Sequence, residues 1–452
     1  MLFPRNIKHL FMDWKTRGNR KPLVVRGARQ TGKTSAVNEL ASEAFDSYVY
    51  INLEKADDLS LFSRMYSIQE LLQIIQLKFN KKIIPGKTLI FIDEIQASPT
   101  AMSQLRYFYE ESPALHVIAA GSLLEVKMKT EGFSFPVGRV EYCYLHPVSF
   151  DEFLGALHET ESLDFINSIK TTAHIPDDIH AILMKRFHEY ILVGGMPEAV
   201  QRYAAEKSFI NVNPVYESII TGFKDDVFKY SREAKAKYLQ FIIEHAPKYV
   251  GLAVKYENFG GSGFRSREMS EAFDILEKAM IVHRVYPSAS RQLPLLHNLK
   301  KSPKLIFLDI GLINYQLGLR TEIINIEDIN VVFHGQIGEQ VAGQMLLSLS
   351  PLKNARLSYW YREQRGSLSE VDYLMSYNNK LIPVEVKSGK TGRLKSLHLF
   401  MEESKSNAAV RIHSGNLSID SISTPKGKIF TLLSIPFYLV HRIEELLAEV
   451  IE

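Results

Sequence analysis

Gly27-Ala28-Arg29-Gln30-Thr31-Gly32-Lys33-Thr34 fits the phosphate-binding pattern GxxxxGK[ST], and its surroundings decide how the first third of the chain folds. Gly27 and Gly32 let the backbone turn until its N–H groups point at phosphate oxygens, with Ala28, Arg29, Gln30 and Thr31 lining the same cradle. Lys33 is placed to reach the β- and γ-phosphates, and the Thr34 hydroxyl to ligate Mg²⁺. Lys21 to Arg26 enters the loop as a short apolar strand. Thr34 to Ala44 leaves it as a helix, with Val37, Leu40, Ala41 and Ala44 at helical spacing. Strand, loop and helix in that order are the setting the chemistry requires.

Working outward, Thr88-Leu89-Ile90-Phe91-Ile92-Asp93-Glu94 is an apolar strand ending in two carboxylates, the Walker B form. Asp93 is suited to hold Mg²⁺ through water, and Glu94 to polarise an attacking water. Alone, such a pair is as often a helix N-cap; with the upstream loop it points to ATP hydrolysis. Further apolar runs near Leu23, Tyr48 to Leu53, His116 to Ala120 and Val140 to Leu145 alternate with helical stretches and predict a parallel sheet. Ser122, just past the fourth run, is placed to sense a γ-phosphate, or is an ordinary turn residue. Arg139, in the loop before the last run, is an arginine finger or sensor in one reading and a plain surface arginine in the other.

The chain has 452 residues, enough for two to four domains. Its 46% hydrophobic content lets each of them bury a core. With 54 basic and 51 acidic residues the net charge is only +3, so any nucleic-acid contact must use a local basic surface. Cys143 is the only cysteine. It cannot form an intramolecular disulfide, which suits a cytoplasmic protein. The N-terminus lacks the apolar stretch of a signal peptide. The run Ile429 to Val440 is interrupted by Pro436 and too short to span a bilayer, so no membrane partner is expected. It reads as a strand, a break at Pro436, then a helix over Val440 to Ile451.

Residues 151–230 are mostly helical in pattern and contain Val193-Gly194-Gly195-Met196-Pro197, which stops one helix and starts another. Residues 231–320 read as helices followed by a strand. Ser270 to Met280 carries Ala272, Phe273, Leu276 and Ala279 on one face, and Ile281 to Val285 alternates. This order suggests a winged helix, a module that either binds DNA or packs between domains.

Residues 321–452 hold a second cluster. Val371 to Met375 and Leu381 to Lys387 read as two strands joined by a two-residue loop at Asn378-Asn379. That register sets Asp372 across from Glu385, with Lys387 on the same face. Facing carboxylates repel unless a cation bridges them, and oxygen ligands suit Mg²⁺ or Mn²⁺. Lys387 would then orient a water or stabilise charge on a phosphate. Glu339, on a helix predicted over Ile337 to Leu347, is placed to add an oxygen. The competing reading is a charge-laced hairpin face, and Pro383 points to an edge strand. Lys387, Lys390, Arg393 and Lys395 form a basic run suited to phosphate-backbone contacts or to a solvated loop.

These motifs, with Pro147-Val148-Ser149-Phe150-Asp151-Glu152-Phe153 and Leu308-Asp309-Ile310-Gly311-Leu312, resemble a group of prokaryotic AAA+-type ATPases. In that group a C-terminal domain of unknown function is similar to PD-(D/E)XK nucleases. The resemblance spans nearly the whole chain. It implies a multidomain α/β protein: a P-loop NTPase core at 1–150, a helical lid at 151–230, a winged-helix segment at 231–320 and a restriction-endonuclease-like α/β domain at 321–452. It implies that Gly195 and Pro197 act as a GxP element contacting the nucleotide from the lid, and that Glu339, Asp372, Glu385 and Lys387 match the nuclease pattern. Val371 stands where that pattern begins with Pro, and Leu123 follows Ser122 where a second small polar residue is usual.

The leading expectation is therefore an ATPase using Mg²⁺ and coupled to a C-terminal module directed at DNA or RNA. The alternative is a nucleotide-controlled switch or scaffold whose nuclease-like end binds a partner protein or DNA without cutting. In a third version the ATPase works in a homo-oligomer, with Arg139 or another arginine acting across subunits.

Overall fold

The structure is a computed structural model. It describes the chain except residues 1, 2, 4, 123–135, 137, 231–232, 320–334, 353–354, 365–366, 388–393 and 452. Lys390 and Arg393 of the basic run, and the expected boundary at 321, lie outside the described residues.

Five parallel strands form the first sheet: β1 Leu23–Arg26, β2 Ser47–Asn52, β3 Thr88–Asp93, β4 His116–Gly121 and β5 Glu141–Tyr144, in the order β2-β3-β4-β1-β5. Each lies where an apolar run predicts it. One set of alternating side chains, including Val25, Phe91 and Ile118, packs on Phe11 and Trp14 of α1 (Ile7–Thr16) and Val37 and Leu40 of α2 (Lys33–Ala44). The other set, including Val24, Ile90 and Val117, packs on Leu71 and Ile75 of α3 (Ile68–Phe79) and Leu105 and Phe108 of α4 (Pro99–Glu111). Burial on both faces is why these strands read as continuous apolar runs rather than alternating ones. Each fully buried large side chain contributes about 1.5–3 kcal/mol relative to exposure. Because β4 lies between β1 and β3, the carboxyl ends of all three meet at the phosphate loop.

Helices α5 (Phe150–Ala156), α6 (Asp177–Val193), α7 (Pro197–Glu206) and α8 (Asn213–Tyr230) follow. Then come α9 (Glu233–His245), α10 (Ser266–Lys278) and the antiparallel pair β6 (Val282–Ser288) and β7 (Lys304–Phe307). The strand expected after the 270–280 helix is thus present. Its last residues also pair with β8, through Tyr286↔Ser358 to Ser288↔Trp360, so β6 and β7 finish a larger sheet. That mixed sheet also contains β8 (Ser358–Gln364), β9 (Ser367–Tyr377), β10 (Lys380–Lys387), β11 (Ala408–His413), β12 (Ser418–Ser423) and β13 (Ile429–Pro436). Its order is β12-β13-β11-β10-β9-β8-β6-β7. Helices α11 (Ile310–Leu317), α12 (Gln336–Ser348), α13 (Lys395–Glu403) and α14 (Ile443–Val450) lie among and after these strands.

One apolar core joins residues from Val148 to Ile451, so the helical middle packs directly on the C-terminal sheet. The β9–β10 hairpin has the expected register, with Lys380↔Tyr377 through Val384↔Tyr373. Asn378 and Asn379 both adopt positive φ (43° and 59°), the conformation a tight two-residue turn needs. The edge position expected from Pro383 is corrected: β10 lies between β9 and β11. The ladder with β11 starts at Val384, one residue beyond Pro383, so the missing N–H falls before that run.

Candidate nucleotide site and C-terminal carboxylate cluster

The phosphate loop is built by close approach. A Cβ on Gly27 would lie 2.4 Å from the Leu145 carbonyl oxygen, and Gly32 opens α2 at φ 88°. Lys33 is buried, and its ammonium donates to the Gly27 and Ala28 carbonyls at 3.1 and 2.8 Å. Burial pulls its pKa down to about 8 against the opposing charges of Glu94 and Asp93. The Thr34 hydroxyl donates to Asp93 Oδ2 at 2.7 Å, and the Tyr50 hydroxyl to the same oxygen at 3.1 Å. Glu94 takes a left-handed backbone (φ 53°), and burial raises its pKa although the Gln96 amide donates to it. Loop glycines, a buried lysine, and a hydroxyl beside a carboxylate fit a Mg-nucleotide: Lys33 suits phosphate, and Thr34 with Asp93 suits the metal.

The structure brings most of the expected residues to this place. Gly121 pairs with Arg26, so Ser122 stands at the carboxyl end of β4, beside the start of the loop. Pro197 closes over the loop: a Cβ on Gly32 would meet its Cγ at 3.4 Å. Arg29 is ion-paired with Asp226 of α8. Arg139 lies elsewhere. Glu141 pairs with Leu23, so Arg139 sits at the opposite end of the sheet, ion-paired with Glu110 at 2.6 Å.

Sequence reading missed Arg5. Its guanidinium donates to the Thr31 carbonyl at 3.1 Å, the His146 carbonyl at 2.8 Å and Glu152 at 2.9 Å. Glu152 also forms a capping box with Ser149 at the start of α5, which explains the Pro147–Phe153 motif. The box was legible in Ser149 and Glu152. The partner 147 positions away was not.

Gly195 is clamped from two sides. Its N–H donates to Asp309 Oδ2 at 2.6 Å, and its carbonyl accepts from Val148 at 2.7 Å. A Cβ on Gly194 would fall 2.2 Å from Asp309 Oδ1. Asp309 also caps α11 through the Gly311 and Leu312 N–H groups, which explains the Leu308–Leu312 motif. Burial raises its pKa to about 6. Gln344 of α12 completes this node, donating to Asp309 at 3.1 Å and accepting from Ile310 at 3.0 Å.

The second site lies under the amino end of α12. Glu339, Asp372, Glu385 and Lys387 come together as the pattern implies, with Glu370, which sequence reading did not single out. Lys304 of β7 stands among them. Its ammonium is 2.8 Å from Glu339 Oε2 and 3.6 Å from Asp372 Oδ1, and is ion-paired with Glu370. Asp372 Oδ2 accepts the Val386 N–H at 2.8 Å, and Lys387 holds Glu385 Oε1 at 2.6 Å. Burial, with the charge of Asp372 next, raises Glu385 to about 8 and Glu339 to about 7. The implied Mg²⁺ or Mn²⁺ does not fit this arrangement: the Lys304 ammonium stands among Glu339, Glu370 and Asp372, where the ion would sit, and Lys387 holds Glu385. Among the described residues no group of three or more His, Cys, Asp or Glu is arranged to hold a metal ion. No helix among them is long and apolar enough to cross a membrane.

Residues 19–154 match the family model of an AAA domain. This region is an AAA-type ATPase domain. Residues 184–323 and 334–438 match two domains of unknown function, DUF8612 and DUF4143. Among solved structures the chain is similar to the Thermotoga maritima RuvB Holliday junction branch migration motor (18% identity, 66% of this chain and 93% of that one, TM-score 0.31). It is also similar to a point variant of the same RuvB (18%, 66% and 93%, TM-score 0.30). A third likeness is to C. elegans PCH-2 (12%, 48% and 70%, TM-score 0.30). At these TM-scores the likenesses have no bearing on function. No curated protein matches the chain.

Proposed function

We propose that ATP hydrolysis at the phosphate loop sets the state of the C-terminal module through the Gly195–Asp309–Gln344 node, and that this module is directed at nucleic acid. In this reading Lys33 binds phosphate, Glu94 activates water, Ser122 senses the γ-phosphate and residues 151–230 act as the lid. Thr34 and Asp93 would hold Mg²⁺, which would supply charge neutralisation at the phosphates. Phosphoryl transfer depends mainly on positioning and electrostatics, so a lid proline seated on Gly32 is well placed to respond to the phosphate count.

The observation that carries the reading is the clamp on Gly195. Pro197 lies beside the loop, where a Cβ on Gly32 would meet it at 3.4 Å. Two residues earlier, Gly195 is hydrogen-bonded to Asp309, and Asp309 to Gln344 on the helix that also bears Glu339. A change in lid position is thereby transmitted to α12 through hydrogen bonds that are all buried. Nucleic acid is the favoured target because a cavity of about 810 Å³ beside the C-terminal sheet is lined by Lys255, Lys278, Lys300, Lys301 and Arg356, which outnumber its carboxylates Glu257, Asp274 and Glu277 and are suited to backbone phosphates. The non-cleaving switch is the second reading, favoured by the ammonium groups filling the carboxylate cluster.

The test is hydrogen exchange of the Glu94→Gln chain with and without ATP, repeated with a DNA duplex. ATP should change protection in Gln336–Ser348, and Asp309→Ala should remove that change without removing ATP binding. Unchanged exchange in that helix would sink the coupling. ATP-dependent exchange with no duplex binding would move the target to a partner protein.

A further inference from the structure

We propose that Lys304 is the resident cation of the C-terminal carboxylate cluster, so that an ammonium of the chain itself occupies the seat of a divalent metal. This is independent of the coupling proposed above.

Lys304 opens the short strand β7 and is almost fully buried. Its ammonium stands among Glu339, Glu370 and Asp372 and 5.5 Å from the centroid of the Tyr359 ring. These carboxylates come from α12 and β9, so Lys304 bridges separate elements as a bound metal would. Buried charges persist only when paired, and Lys304 makes the pairing without exchangeable solute. On the other side Lys387 compensates Glu385, whose Oε2 is buried with no hydrogen-bond partner. The site thus retains an unpaired acceptor while its centre is filled. An ammonium has one positive charge and three donors. It satisfies carboxylates but does not activate water as a divalent ion does. The site therefore lacks metal-dependent hydrolysis while Lys304 is in place, and removing that side chain frees carboxylate oxygens for a divalent ion.

The experiment titrates Mn²⁺ into the full nucleotide-free chain by calorimetry, comparing wild type, Lys304→Met, and Lys304→Met with Asp372→Asn. Wild type should show no Mn²⁺ binding that depends on Asp372. Lys304→Met should gain such binding by at least tenfold in affinity, and the added Asp372→Asn should abolish it. Asp372-dependent binding already present in wild type, or no gain in Lys304→Met, overturns the proposal. If Lys304→Met does not fold by circular dichroism, Lys304→Met/Glu370→Gln removes one charge of each sign from the cluster and is judged by the same outcomes. Thermal melts of wild type and Asp372→Asn with and without Mn²⁺ add a check that needs no Lys304 variant: stabilisation lost in Asp372→Asn overturns the proposal.

Discussion

The two charged sites solve the same problem in opposite ways. At the phosphate loop the buried Lys33 ammonium rests on two backbone carbonyls of its own loop, 3.1 and 2.8 Å away. Those are neutral acceptors, and an anionic phosphate competes with them easily because charge-assisted bonds are stronger. In the C-terminal cluster Lys304 and Lys387 rest on carboxylates. Those are buried acidic acceptors, and displacing an ammonium from them strips compensation from whichever of them is ionised. The first site is poised for exchange with a ligand and the second is satisfied from within. A residue pattern that suits binding is therefore not enough; what already holds the charged groups decides whether a ligand can enter.

Removing the exchangeable cation tests the first half most severely. Lys33→Ala should lower ATP turnover by on the order of 10²–10³-fold or more, measured as phosphate release. Glu94→Gln should keep nucleotide binding while turnover falls roughly 10²-fold. Tight binding with slow release of phosphate distinguishes it from Lys33→Ala.

The second half is sharpened by pH. Glu385 and Glu339 have folded pKa values raised to about 8 and about 7 by burial and Asp372, above the unfolded value of about 4.3. The folded chain therefore keeps protons that the unfolded chain has lost. This contribution is fully present below about pH 4 and is lost as pH rises through about 7 to 8. Glu385→Gln should be more stable than wild type at pH 9, on the order of 1–3 kcal/mol, with little difference at pH 4. Melts across pH read the effect, and equal shifts at both pH values would contradict the buried-charge account.

Asp309→Asn sets an amide among the N–H donors of Gly195, Gly311, Leu312 and Gln344. It should cost about 1–3 kcal/mol by denaturant titration. The smallest effect is expected at Arg139→Ala. Its partner is the exposed Glu110 pair at the far end of the sheet, so turnover of a verified monomer should change less than about twofold. Loss of activity only in an assembled form would instead reveal an arginine acting across subunits.

Much of the nucleotide site was legible because its signals are local. Gly27 to Thr34 is contiguous, Asp93-Glu94 ends an unbroken apolar strand, and the β9–β10 register follows from Asn378-Asn379. Pro383 misled because an absent N–H points to an edge only if that N–H falls in a paired run, and here the ladder with β11 begins one residue later. Arg5, Glu370 and Lys304 gave no signal, since each acts on residues far along the chain, and charged residues are ordinarily at the surface.

The sequence by itself determined the phosphate loop, the parallel sheet and the hairpin that presents Asp372 and Glu385, since turn chemistry and hydrophobic period act over a few residues. Only the tertiary structure decided which charges are already compensated. Lys304 meets Glu339 and Asp372, and Gly195 meets Asp309, only once separate elements pack. In a buried site the nearest partner, however distant in sequence, outweighs the motif.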